Sequence, residues 1–179
     1  MSDLNQRCLD TFPEWLKALA TDATELALLL SESDLPESSR RFSAAALNYL
    51  FKSLDLIPDG IEDLGYLDDA FVLRVAARFA TKGVSGEVPA VLTRLAADVP
   101  LVEELLGVDY PRLAKYVDNL QHGAARGRTA EDIVAKEEVR AAFLAELRAW
   151  ADAYDAPSFT RDEKNITKLQ SFLSAKLPG

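Results

Sequence analysis

Apolar residues recur every three to four positions along nearly the whole chain, the period of a helix with one buried face. Trp15, Leu19, Ala23, Leu26 and Leu30 form the first such stripe. Ahead of it, Thr11 and Glu14 have the spacing of a capping box, whose hydroxyl and carboxylate satisfy the free N–H groups of a first turn. Pro13 is tolerable in that first turn, where its missing N–H would have no helical partner anyway. A second helix is expected after Pro36, with Phe42, Ala46, Tyr49 and Leu50 facing inward. A third starts near Leu67 and runs through Phe71, Val75 and Phe79 to about Lys82. Its polar stripe is expected to be Arg74, Arg78 and Lys82, four residues apart each time.

A fourth helix is expected over residues 87–106, kinked or broken at Pro100. A fifth, capped by Asp109, ends near His122. Thr129 is placed to cap a long helix carrying Val139, Phe143, Leu147, Trp150 and Tyr154. Thr160 and Glu163 match a second capping box, ahead of a helix bearing Ile166, Leu169, Phe172, Leu173 and Leu177. No segment alternates as a strand would. The pattern predicts an all-α bundle of about six to seven helices. Its parts are a helical core at 1–122, a Gly- and Arg-containing linker at 123–128 and a C-terminal helical pair at 129–179 packing on that core.

Composition narrows the function classes. The 179 residues are 49% hydrophobic and 27% charged, as in a globular chain able to bury a core unaided. One cysteine, Cys8, and one histidine, His122, exclude an internal disulfide and a Cys/His zinc set. They also leave a Ser–His–Asp or Cys–His arrangement without obvious support. Cys8 reads as a small core residue, and His122 as a favourable cation at a helix C-terminus. A net charge of −9 argues against nucleic acid, since Arg112, Lys115, Arg126 and Arg128 make only a sparse basic set. No apolar run reaches the length of a bilayer span, and the N-terminus lacks a signal-peptide pattern. A cytoplasmic address is expected. Gly83-Val-Ser-Gly86 lacks the strand and lysine of a phosphate loop.

Residues 54–69 break the helical pattern. Pro58 disfavours helical angles at Ile57, and Pro58-Asp59-Gly60 is a turn signal in which glycine would tolerate positive φ. The expectation is an acidic Pro/Gly elbow between the second and third helices. The competing reading is a β-hairpin with 54–57 and 61–64 as its arms. Asp55, Asp59, Asp68 and Asp69 come from a helix end, a turn and a helix start, and the elbow could gather them. As structural residues, Asp59 would hold the turn, Asp68 and Asp69 would favour a helix N-terminus, and Asp55 would pair with Lys52 or Arg74. As ligands, carboxylates forced together would suit a hard divalent cation, Mg²⁺ or Ca²⁺. Because neighbours on a helix point about 100° apart, only one of Asp68 and Asp69 is expected to face the elbow.

Asp55-Leu-Ile-Pro-Asp59 and Leu64-Gly-Tyr-Leu-Asp-Asp69 together resemble the signature of the YkvA-like family, a bacterial domain of unknown function. The resemblance covers residues 49–79. It implies two helices joined by an acidic, proline-containing elbow, with Gly65 and Tyr66 as structural residues beside Pro58 and Gly60, and it implies no known reaction. Relatives with a membrane-associated segment make peripheral membrane contact an implication of the family, although no apolar segment here supplies one. The functional expectation is a non-catalytic protein-interaction or adaptor module with a protein partner. The alternatives are an Mg²⁺- or Ca²⁺-binding protein or metal-dependent enzyme using the four aspartates, and a peripheral membrane protein. No other cofactor is expected.

Overall fold

Helix α3 (Leu67–Thr81) is enclosed by the rest of the chain, and twelve of its fifteen residues are buried. A helix with a single apolar stripe would sit at the edge of a bundle; one apolar all round sits at its centre. The computed structural model describes Met1 to Gly179. Around α3 stand α1 (Asp3–Ala27), α2 (Glu37–Tyr49), α4 (Ala90–Ala96), α5 (Val99–Leu106), α6 (Tyr110–Asn119), α7 (Ala130–Ala135), α8 (Glu137–Ala153) and α9 (Glu163–Lys176). The fold is an all-α bundle around one core of 47 buried residues drawn from every part of the chain.

The helix count exceeds the sequence expectation because two stripes are each cut once. The fourth divides into α4 and α5 at Ala97–Asp98, which leaves Pro100 in the first turn of α5. There its missing N–H costs nothing. The long stripe after Thr129 divides at Lys136, whose φ of −110° and ψ of 111° are extended. The Arg140 guanidinium donates to the Val134 carbonyl at 2.8 Å, satisfying a group that the break leaves free. Thr129 does cap α7, in a reciprocal capping box with Asp132.

Three other expectations are corrected. Helix α1 starts at Asp3, where the Ser2 hydroxyl accepts from the Asn5 N–H at 3.1 Å, so Pro13 lies inside the helix. Burial of Cys8, Leu9 and Phe12 carries the apolar stripe through the proline. Helix α9 is capped by Asp162, not Thr160; the Asp162 carboxylate accepts from the Lys164 N–H. Residues 123–128 fold into a tight ribbon, β1 (Ala124–Ala125) antiparallel to β2 (Arg128–Thr129). Arg126 (φ 52°) and Gly127 (φ 76°) are both left-handed, as a two-residue turn of matching twist requires. Asn48 of α2 holds this ribbon, donating to the Arg128 carbonyl at 3.0 Å.

Helices α8 and α9 complete the core. Phe143, Leu147, Ile166, Leu169 and Leu173 are buried in it, and the Tyr154 hydroxyl donates to the Leu16 carbonyl of α1 at 2.7 Å. No helix is long and apolar enough to cross a membrane.

Candidate functional site

The connection from α2 to α3, residues 50–66, is a chain of turns and not a hairpin. Its first backbone bonds wind down α2: Phe51 N–H to Asn48 O and Lys52 N–H to Tyr49 O, both at 3.0 Å. After Pro58, whose ring stops any continuation, the Ile61 N–H donates to the Pro58 carbonyl at 3.0 Å. Ile61 O then accepts from Gly65 N–H at 2.9 Å. Gly60 does not adopt positive φ, and a methyl there would meet nothing within 4 Å. The left-handed residues are Asp63 (φ 64°) and Tyr66 (φ 68°), the latter standing just before α3. Gly65 has a different task. A methyl on it would lie 2.1 Å from the Asp59 carbonyl oxygen, so glycine is what lets two strands of backbone touch.

This path puts a tyrosine at the centre of the elbow. The Tyr49 hydroxyl donates to Asp68 Oδ2 at 2.6 Å and accepts from the Leu56 N–H at 2.8 Å. Asp68 Oδ2 also accepts from the Ile57 N–H at 3.3 Å. One phenol and one carboxylate oxygen therefore tie together the end of α2, the start of the elbow and the start of α3. A buried phenol needs a partner; the sequence marked Tyr49 as an inward-facing residue at the start of the family resemblance, without showing which partner it would take.

The aspartates divide between rim and interior. Asp59 is exposed and Asp55 half-buried, whereas Asp68 and Asp69 are 1% and 2% exposed. Both of the last two are buried because α3 is surrounded at its N-terminus, and it is Asp68 that bonds to the elbow, through the Ile57 N–H. Three oxygens have no hydrogen-bond partner: Asp55 Oδ1, Asp68 Oδ1 and Asp69 Oδ2. None of the four aspartates forms an ion pair. Lys52, the nearest expected partner of Asp55, donates to the Tyr116 hydroxyl at 3.1 Å.

Arg74, the other expected partner and the supposed head of an outer polar stripe, is 1% exposed and paired elsewhere. It pairs with Asp98 at 2.9 Å and Asp22 at 3.5 Å, with its guanidinium 4.0 Å from the centre of the Trp15 ring. Burial pulls that guanidinium below its usual value, against the opposing pull of Asp98 and Asp22. The i, i+4 spacing with Arg78 concealed this role, since spacing alone does not reveal which helix is central.

Burial and the mutual repulsion of the acids set the protonation of the cluster, with Lys52 opposing the shift at Asp55. Burial, then the nearby Asp68 and Asp59, pushes the Asp55 carboxyl up to about 7. Burial raises Asp68 to about 6, although the Tyr49 and Ile57 donors pull the other way. Asp69 is held well above the ordinary carboxylate range by burial and by Asp68. The cluster is an assembly of acids, not a finished ligand shell: no three His, Cys, Asp or Glu side chains stand in a ready arrangement for a metal ion.

Beside the elbow lies an open groove of about 570 Å³. Leu50, Phe51 and the ribbon alanines floor it, Lys52 and Arg126 stand on its edge, and Asp59 is shared with the acidic cluster. Leu54 is on its lip with 80% of its surface exposed.

The segment forming this site is also where the chain resembles known sequences. A family described as "Protein of unknown function (DUF1232)" matches residues 42–74, from the middle of α2 through the elbow to the middle of α3. That stretch overlaps the 49–79 signature and carries all four aspartates, and the description names no activity. No curated protein and no solved structure matches the chain.

Proposed function

We propose that this chain is a non-catalytic interaction module that receives an apolar-anchored segment of a protein partner in the groove beside the elbow. The observation that carries this reading is Leu54, a large aliphatic side chain exposed on the lip of a groove with an apolar floor. Exposed leucines are ordinary when scattered singly; this one borders a concavity able to take a partner's side chain. The charges on the lining are balanced, with Arg126 paired to Glu146 and Lys52 accompanied by Asp59, so the apolar lip and floor are what would hold a partner. Most of the lining, residues 50–54 and 59, falls within the matched segment 42–74, so the reading attaches to the part of the chain that resembles a family. The YkvA-like resemblance over 49–79 is consistent with this and adds no reaction.

Selection from a displayed random-peptide library tests the proposal without a known partner. The expected outcome is enrichment of peptides with a bulky apolar residue. Their binding should fall at least about tenfold in the Leu54→Asp/Lys52→Glu variant. Peptides that bind this variant as well as the wild type, or no enrichment at all, overturn the reading.

A further inference from the structure

We infer that the groove between the end of α1 and α8 is a pairing surface for a second copy of this chain, each copy's Leu28 entering the other's groove and each Glu32 meeting the other's Arg148. Leu28 belongs to an unbroken apolar run, Leu26-Ala-Leu-Leu-Leu30, that no helix can turn wholly inward, because successive side chains point about 100° apart. Leu26, Ala27, Leu29 and Leu30 are buried, and the 3₁₀ turn Leu28–Ser31 that closes α1 leaves Leu28 outside with 67% of its surface exposed. The fold asks nothing of that position that a polar residue would not supply. Beside it, Ala27, Leu144 and Leu147 line an open groove of about 410 Å³, with Glu32 and Arg148 at its rim. A lone exposed leucine is ordinary; this one projects next to a concavity floored by buried aliphatics, which suits the exchange of leucines between two like surfaces.

The charges at the rim name the occupant. Glu32 and Arg148 are exposed, and neither enters an ion pair within its own chain. Glu25 and Glu146, by contrast, are taken up by Arg94 and by Arg126 and Arg128. The groove therefore carries one free acid after α1 and one free base on α8. Its occupant must present an apolar side chain, a base for Glu32 and an acid for Arg148. The same rim offers all three, and a twofold axis along the groove sets the α1 side of one copy over α8 of the other, so that each feature meets its complement twice. A partner of one charge sign would leave Glu32 or Arg148 facing a like charge. The net charge of −9 opposes self-association at long range, but salt of about 0.15 M screens such repulsion beyond about 8 Å. The contact is small, and exposed ion pairs fix register more than they add affinity. A reversible dimer with a dissociation constant of about 10–100 µM is expected. This groove shares no residue with the one beside the elbow, so pairing does not use that site.

Sedimentation velocity of the full chain at about 5–500 µM in about 0.15 M NaCl tests the pairing. The wild type is expected to pass from monomer to dimer across that range. Leu28→Glu, at a position outside the core, should stay monomeric throughout with unchanged circular dichroism. Glu32→Arg and Arg148→Glu each set like charges together and should weaken the dimer at least about tenfold, while the double reversal Glu32→Arg/Arg148→Glu restores it to within about threefold of wild type. A wild type that is monomeric at the top of the range overturns the proposal and leaves the groove to a different protein. Leu28→Glu dimerising as well as the wild type also overturns it, by moving the contact to another face. Single reversals without effect, or a double reversal that fails to restore the dimer, overturn the twofold arrangement.

Discussion

An alanine methyl at Gly65 would stand 2.1 Å from the Asp59 carbonyl oxygen and 2.9 Å from its carbon, contacts that only backbone movement can relieve. Gly65→Ala is expected to cost more than about 2 kcal/mol in urea unfolding, while Gly60→Ala, facing open space, stays within about 0.5 kcal/mol. The aspartates make a prediction of opposite form, in pH. In the unfolded chain their carboxyls ionise near the ordinary value, whereas Asp55 is raised to about 7 and Asp68 to about 6 in the fold, with Asp69 also raised. The folded state therefore binds more protons between roughly pH 4 and pH 7, and the cluster's contribution to stability falls as pH rises through that window. Without divalent ions, wild type should melt lower at the top of the window than at the bottom. Asp69→Asn should flatten the slope, because an amide cannot release that proton. An unchanged slope in the variant would remove Asp69 as its source.

Helix boundaries show which parts of the architecture could be read from residue order. Stripes such as Trp15 to Leu30 and Ile166 to Leu177 report buried faces, because burial is what spaces apolar residues at the helical period. Caps are less secure, since a Thr and a Glu three apart fit several roles. Thr129 has its partner in Asp132, whereas at Thr11 the chain was already helical from Asp3. The four aspartates and the turn at Pro58 were legible, because proline and clustered acids are conspicuous. That Asp68 and Asp69 would both be buried was not legible, nor that Arg74 would cross beneath Trp15, because both depend on α3 being central. Pro13 offers a test at this scale. It occupies an interior position of α1 and removes one backbone bond, so Pro13→Ala should stabilise the protein by about 1–3 kcal/mol, read from the chemical-denaturation midpoint. A loss of stability would mean that the ring packs better than the restored bond.

At the scale of the molecule, α9 is bound at both ends and along its face. Asn5 donates to Glu163 at 2.9 Å near its start, Gln170 donates to the Leu105 carbonyl at 2.9 Å, and Arg112 donates to the Leu177 carbonyl near its end. Its inward residues belong to the same core as α1 and α3. A chain ending at Asp162 should therefore lose its sharp melting transition and bind hydrophobic dye, keeping helical circular dichroism without fixed packing. A cooperative melt close to that of the full chain would instead make α9 an accessory. The same arrangement bears on biosynthesis. The apolar flank that α9 covers belongs in part to α1, which is made well before α9, so it stays bare until α9 has left the ribosome. Throughout the synthesis of the intervening helices, the nascent chain offers that flank to chaperones.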